Sequence, residues 1–238
     1  MDHSHEPEDI AARLAVGPKI NYLRDWIYGG IDGAVTTFAI VAGVIGADLS
    51  AGIVLILGAA NLLADGFSMA AANYSGTKAD NDDVDRIRQI ELRHIRMHPE
   101  GEREELRQIY QAKGFEGEEL ESMVELLSRQ ESVWLETMLR EEHGLSSVKR
   151  SPIKAALATF IAFITCGAVP LVPFVFGMQA GPLTATLATA LVFFIIGAMK
   201  SAWSTQRWYW SGIETFIIGI AAAGMAFAVG VLLRGLAG

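Results

Sequence analysis

Five long apolar stretches, separated by polar segments, set the pattern of this chain. Each is close to the ~20 residues that a helix needs to cross the ~30 Å hydrocarbon core of a bilayer. The stretches are Trp26–Gly46, Gly52–Tyr74, Ile153–Phe176, Gly181–Lys200 and Ser211–Leu233. Pro170 and Pro173 in the third stretch predict a kink or break there. The pattern therefore predicts an all-α membrane protein with five transmembrane helices.

Charged residues are concentrated in one block between the second and third stretches. Of the 27 acidic and 19 basic residues, 18 and 11 respectively lie between positions 79 and 150. The formal net charge of −8 comes almost entirely from this block, which argues against nucleic acid as a partner and favours cations. The predicted organisation is an N-terminal tail at 1–25, helices one and two at 26–78, a helical domain at 79–150, and helices three to five at 151–238.

Lysines and arginines predict the orientation of the chain in the membrane. Arg24 precedes the first stretch, Lys78 follows the second and Lys200 ends the fourth, whereas the loops after the first and third stretches carry no basic residue. Basic residues accumulate in cytoplasmic loops. We therefore expect the N-terminal tail and the charged domain to be cytoplasmic, with the C-terminus on the other side.

Ionisable groups inside a membrane span are costly and are usually functional. Asp32 lies in the first stretch, about two turns from its start. Asn61, Asp65 and Met69 lie in the second stretch at i, i+4 and i+8, which places them on one helical face. Carboxylates beside a thioether suit a borderline-soft divalent cation. The structural alternative is that Met69 packs in the core and Asp32 is a hydrogen-bonded acid.

The charged domain is predicted to form four helices in which acids continue the apolar stripes. The helices are about Asp80–Met97, Glu102–Lys113, Gly117–Ser128 and Glu131–His143. The inward-facing polar residues are Glu91, His94, Glu102, Glu105 and Glu142. Pointing such groups inward is costly unless a cation binds between them. Carboxylates with one imidazole suit Fe²⁺, Mn²⁺ or Zn²⁺ better than Ca²⁺ or Cu⁺. The alternative is that these glutamates are part of a solvated surface.

Several segments together resemble the vacuolar iron transporter family. They are RDWIYGGIDGAVTTFAIVAGV, DGFSMAAANY, MLREEHGL, GAVPLVPF, GAMKS and SGIETFIIGIAAA. The resemblance covers about Arg24 to Leu233. It implies five membrane helices, a homodimer with the pathway at its interface, and a cytoplasmic helical metal-binding domain between helices two and three. Members of this family move ferrous iron, often manganese too, out of the cytosol in exchange for protons.

The resemblance also implies roles for individual residues. The aspartate and methionine of the family's pathway correspond to Asp32 and Met69, and Asp25 occupies a further acidic position. The metal-binding residues of the family's domain correspond to Glu91, Glu102, Glu105, Met138 and Glu142.

The chain departs from the family at three positions. A glutamate of the first domain helix is His94 here, which is still a good ligand, and a second methionine is Leu139. A pathway glutamate is Asn61, which cannot titrate, although Asp65 lies one turn away. We therefore expect proton coupling, if present, to involve Asp32 or Asp65.

The expected function is transport of Fe²⁺, with Mn²⁺ as a second ion, by proton antiport, without enzymatic activity or a prosthetic group. The expected membrane is the inner membrane of a bacterium, or the vacuolar membrane in a eukaryote. One alternative is a membrane-anchored di-iron ferroxidase or iron store. That class needs two Glu-x-x-His motifs plus two further glutamates on four long helices, and the chain has only Glu91-x-x-His94. Another is a membrane scaffold with an acidic protein-binding domain.

Overall fold

The computed structural model describes residues 4–17, 20–146, 148–177, 181–201 and 205–236. The helices are α1 Pro7–Val16, α2 Leu23–Gly46, α3 Ala51–Met97, α4 Pro99–Ala112, α5 Gly117–Ser128, α6 Glu131–Glu141, α7 Pro152–Ala168, α8 Val172–Val175, α9 Gly181–Lys200 and α10 Trp208–Leu233. The chain divides into two compact units. The apolar unit comprises residues 21–75 and 152–238, and the charged unit comprises residues 1–20 and 76–151.

Five helical segments among the described residues are long and apolar enough to cross a membrane, which agrees with the sequence prediction. The third of these segments, Pro152–Val175, is interrupted by a short 3₁₀ turn at Val169–Leu171 between α7 and α8. Pro170 and Pro173 lack the backbone N–H that an uninterrupted α-helix would use. The predicted break in this span is therefore confirmed.

Helix α2 lies at the centre of the apolar unit, where it packs against α7, α9 and α10. A Cβ atom at Gly29 would lie 2.9 Å from the carbonyl carbon of Thr159, and one at Gly33 would lie 2.9 Å from that of Phe163. Only hydrogen atoms fit at these two positions, so α2 and α7 are in backbone contact. Small residues permit this close packing where the surrounding lipid supplies no hydrophobic driving force between helices.

Two ion pairs show which helix ends lie together in the apolar unit. Arg234, just after α10, pairs with Asp48 in the α2–α3 loop. Lys200 at the end of α9 lies 3.7 Å from Glu214 near the start of α10. The α2–α3 loop and the C-terminal end of α10 are therefore at the same end of the unit. This agrees with spans that cross the membrane in alternating directions.

Two helical features differ from the sequence prediction. The second span and the first domain helix form one 47-residue helix, α3, because the segment between them contains only Gly76 as a helix-weakening residue and no proline. One glycine costs a helix only about 1 kcal/mol. In the N-terminal tail, α1 forms with Pro7 at its start and Glu8 and Asp9 in its first turn, and we did not predict this helix.

The charged unit is built around a small hydrophobic core. The C-terminal part of α3 and helices α4, α5 and α6 contribute its buried side chains, which are Ile95, Leu106, Leu120, Val124, Trp134, Leu135, Met138 and Leu139. Ion pairs cover the outside, for example between Arg107 and Glu121, whose Nε and Oε1 atoms are 2.7 Å apart. Most glutamates of the unit are therefore solvated or paired at the surface. The few that point into the core are exceptions to this pattern.

We expect substitution of Gly29 by alanine to destabilise the apolar unit, because the added methyl group would overlap the backbone of Thr159. Overpacking of this kind costs about 1–3 kcal/mol. Thermal unfolding of the detergent-solubilised protein should show a melting temperature several degrees below that of the wild type. Gly224→Ala on α10 is the matched control, because no atom lies within 4 Å of its added Cβ. Equal melting temperatures for the two variants would contradict the proposed helix contact.

Candidate metal site

Two buried glutamates form the centre of the candidate site in the charged unit. Glu91 on α3 is 3% exposed and Glu102 on α4 is 4% exposed. The Oε2 atom of each is buried and has no hydrogen-bond partner among the described residues. An ionised carboxylate in such a place carries a large desolvation cost unless a positive group compensates it.

The apolar stripes of α3 and α4 determine where these two glutamates point. Glu91 lies four residues before Ile95, and Glu102 lies four residues before Leu106, and both apolar side chains are in the core. Residues four apart share a helical face, so each carboxylate points the same way as its apolar neighbour. Glu102 is also in the first turn of α4, where the helix dipole favours a negative charge.

Two histidines lie near the same carboxylate oxygen of Glu91. The Nδ1 atom of His94 is 4.0 Å from Glu91 Oε1 and 3.5 Å from Glu102 Oε1. The Nε2 atom of His143 is 3.1 Å from the same oxygen of Glu91 and 3.6 Å from Glu142 Oε2. Two sets of three residues therefore share Glu91, and the ligand atoms of each set lie within 4.8 Å of one another. This spacing would allow the residues of each set to coordinate a metal ion.

The environment of the site raises the pKa of two of its acids. Burial raises the pKa of Glu102 to about 7, and repulsion from Glu105, Glu91 and Glu142 adds to this effect, whereas His143 opposes it. Burial also raises the pKa of Glu142, and the negative charge of Glu91 contributes. The protein therefore compensates the negative charge of these two carboxylates poorly, and a bound proton or metal ion would neutralise that charge.

The structure brings together four of the predicted ligands, Glu91, His94, Glu102 and Glu142. The prediction that His94, Glu105 and Glu142 face inward is wrong, because all three are exposed at the edge of the cluster. Glu105 is near enough to Glu102 for their charges to interact. Met138 is fully buried in the core of the unit, one turn before Glu142. For these two residues a role in metal binding stays a prediction.

His143 is the site residue that we did not predict. It lies beyond the last residue of α6, Glu141, and Gly144 follows it with a positive φ of 65°. The predicted fourth helix included His143, four residues after Leu139, but we did not single it out. In the structure the helix ends at Glu141, so helical periodicity does not set the direction of this side chain. The available signal was its position directly after Glu142 in a segment that otherwise contains few imidazoles.

In the apolar unit, a hydrogen-bonded chain joins α3 to α2 near Asp32. The Nδ2 atom of Asn61 donates to the hydroxyl of Thr36 at 3.2 Å, and that hydroxyl donates to the backbone oxygen of Asp32 at 2.9 Å. Asp32 is half-buried and Asp65 is exposed, and their carboxylates are near enough to repel each other. Met69 is half-buried and packs against the apolar core.

Asp25 is buried in a separate polar cluster that connects three helices. The Nδ2 atom of Asn73 on α3 donates to Asp25 Oδ1 at 3.0 Å and also lies 2.7 Å from the Thr159 hydroxyl on α7. Asp25 itself is 3% exposed. The cluster holds α2, α3 and α7 together, and Asn73 is a further residue that we did not single out from the sequence.

Five apolar spans, together with a helical unit in which two buried glutamates lie beside imidazoles, define a multi-span membrane protein. The model of the VIT family matches residues 23–231. A vacuolar iron transporter of Toxoplasma gondii is 35% identical over 226 residues, which cover 90% of this chain and 75% of that protein. Vacuolar iron transporter 1 of Arabidopsis thaliana is 31% identical over 234 residues, covering 96% and 90%. The chain belongs to the VIT family, as its sequence motifs predicted.

The raised pKa of Glu102 predicts a pH-dependent stability of the metal-free protein. Between the ordinary glutamate value of 4.5 and about 7, the folded state keeps a proton that the unfolded state has lost. The stability contributed by this group is therefore present at low pH and is lost as the pH rises through about 7. In the presence of a chelator, the melting temperature should fall from pH 5 to pH 8 by about 4 °C more in the wild type than in Glu102→Gln.

The control for this experiment is Glu100→Gln, since the Glu100 side chain is 83% exposed on the same helix. This variant should keep the pH dependence of the wild type. If Glu102→Gln also keeps it, the Glu102 carboxyl is not held in the protonated form and the description of its environment is wrong.

Proposed function

We propose that this protein transports Fe²⁺, and Mn²⁺ as a second ion, out of the cytosol in exchange for protons. The observation that supports this most directly is the pair of buried glutamates, Glu91 and Glu102, in a chain whose relatives are named vacuolar iron transporters. One carboxylate oxygen of each has no hydrogen-bond partner among the described residues. The ion is the substrate of the transporter. The proposal needs neither a prosthetic group nor a catalysed reaction.

In this proposal, the charged unit binds ions on the cytoplasmic side before they enter the membrane. Its carboxylates attract cations and raise their local concentration near the entrance. Ligands from Glu91, His94, Glu102 and Glu142 suit Fe²⁺, Mn²⁺ or Zn²⁺, because oxygen and nitrogen donors are combined. Glu105 and Met138 complete the proposed set. The cytoplasmic placement is supported by the basic residues that flank the unit.

The proposed pathway through the membrane uses Asp32 and Met69. Asp32 supplies a charge that offsets the desolvation of the ion. Met69 supplies a polarizable sulfur, which favours a transition-metal ion over Mg²⁺ or Ca²⁺. Asn61 offers an amide oxygen but no titrating group, so protons would be carried by Asp32 or Asp65. Asp25, with its buried carboxylate, is proposed to act at the cytoplasmic end.

The surface of α3 supports the further proposal that two copies of the chain form a homodimer. Asp65 is exposed on α3 although it lies within a membrane span. A carboxylate facing lipid tails carries a high cost. A second copy that covers this face would remove Asp65 from lipid and place it at an interface, where it can line the pathway.

The membrane is proposed to be the inner membrane of a bacterium, or the vacuolar membrane if the source is a eukaryote. The ferroxidase alternative is not favoured by the structure of the site. His143 supplies a second imidazole, but it is adjacent to Glu142 rather than three residues from a glutamate on a helix, so the chain still has only one Glu-x-x-His motif.

Flux measurements in proteoliposomes test the proposed function. Wild-type protein should carry Fe²⁺ across the bilayer, faster when an opposing pH gradient is imposed. Asp32→Ala should stop the flux, since the ion loses the charge that compensates its desolvation. Met69→Ala should retain some flux but reduce the preference for Fe²⁺ over Mg²⁺. The double variant should be no worse than Asp32→Ala alone, because two residues that share one ion give non-additive losses.

Asp48→Asn is the control. Asp48 is an acid in the α2–α3 loop of the same unit, outside the proposed pathway, so this substitution should leave the flux unchanged. Absence of Fe²⁺ flux through folded wild-type protein would overturn the proposed function. Flux that does not respond to a pH gradient would remove only the proton exchange. Independent, additive losses from Asp32 and Met69 would show that the two residues do not contact the same ion.

A further inference from the structure

His143 is the one residue of the candidate site to which neither the sequence motifs nor the family resemblance gives a role. Its Nε2 atom lies 3.1 Å from Glu91 Oε1, and His94 Nδ1 approaches the same oxygen at 4.0 Å. The two imidazoles come from different parts of the chain, one from α3 and the other from the segment after α6. They therefore meet at Glu91 through the fold rather than through a local motif.

We propose that His143 is a metal ligand and that, together with His94, it gives each of the two ligand sets that share Glu91 one nitrogen donor. An ion in the first set would contact Glu91, His94 and Glu102, and an ion in the second set would contact Glu91, Glu142 and His143. This inference rests on the proposed function, because the ions bound are those that the protein transports. It adds a ligand that determines which ions the charged unit prefers.

The buried carboxylate oxygens supply a second observation that points to a cation. The Oε2 atoms of Glu91 and Glu102 have no hydrogen-bond partner among the described residues, so the histidines do not satisfy these carboxylates. A single ring nitrogen in contact with one oxygen of Glu91 leaves the other oxygen uncompensated. A divalent ion placed among these groups would neutralise more of the buried charge than one imidazole does.

Nitrogen donors change the selectivity of a carboxylate site in a definite direction. Mg²⁺, Ca²⁺ and Mn²⁺ favour oxygen ligands, whereas Fe²⁺, Co²⁺ and Zn²⁺ also bind imidazole well. Affinity at a mixed nitrogen and oxygen site rises from Mn²⁺ through Fe²⁺ to Co²⁺. Two imidazoles should therefore make the charged unit prefer Fe²⁺ over Mn²⁺ more strongly than carboxylates alone would.

Equilibrium binding of Co²⁺ and Mn²⁺ to the full-length protein in detergent tests this inference. Co²⁺ is used as an air-stable probe whose visible absorption reports its ligands. In His143→Gln, Co²⁺ affinity should fall at least tenfold and Mn²⁺ affinity about threefold or less, with a change in the Co²⁺ spectrum. His143→Glu should retain Mn²⁺ binding while losing the preference for Co²⁺, and this variant keeps the test decisive if His143→Gln does not fold.

His98→Gln is the matched control, because His98 is an exposed histidine between α3 and α4 and belongs to neither set of ligands. It should bind both ions as the wild type does. Unchanged Co²⁺ binding in His143→Gln, or equal losses for Co²⁺ and Mn²⁺, would overturn the role of His143 as a nitrogen ligand. Wild-type protein that binds Co²⁺ in this way but carries no Fe²⁺ in proteoliposomes would instead overturn the proposed function and leave the ligand assignment intact.

Discussion

The burial of charged carboxylates inside a small helical core is the constraint on which the charged unit depends. Glu91 and Glu102 each continue the buried apolar stripe of a helix. An apolar side chain at either position would have a lower desolvation cost than a carboxylate. Burial and the neighbouring acids raise the pKa of Glu102, because the protein alone supports the charge of this carboxylate poorly. A unit built in this way is stabilised when a proton or a cation is present, so its stability and its ligand binding are linked.

The apolar unit follows a different physical rule, because lipid cannot drive its helices together by the hydrophobic effect. Glycines such as Gly29 and Gly33 let α2 contact the backbone of α7. Polar side chains within the spans, including Asn61 and Asn73, form hydrogen bonds between helices. Asp32 and Asp65 stand apart from this pattern as two acids that repel each other. We propose Asp32 as a ligand of the transported ion, and Asp32 or Asp65 as the proton carrier.

The sequence predicts the helical class and the five spans well, since long apolar stretches with the charges segregated between them are typical of helical membrane proteins. Helical periodicity correctly places Glu91 and Glu102 among buried apolar side chains, whereas His94 and Glu142, which the same argument pointed inward, are exposed. The sequence fails to locate some helix ends and does not single out His143, which the predicted fourth helix included. His143 lies past the end of α6, α3 continues through Gly76 without a break, and α1 forms in a tail whose polar composition suggested no helix.

The most direct test of this account is anaerobic Fe²⁺ binding to full-length protein carrying Glu91→Gln and Glu102→Gln, compared with its metal-free stability. Glutamine preserves the shape of both side chains and removes their buried charge. The account predicts that Fe²⁺ binding weakens by more than tenfold, about 1.4 kcal/mol, while the metal-free double variant unfolds at a higher temperature than the wild type. Unchanged Fe²⁺ affinity, or a metal-free double variant that is less stable than the wild type, would contradict it.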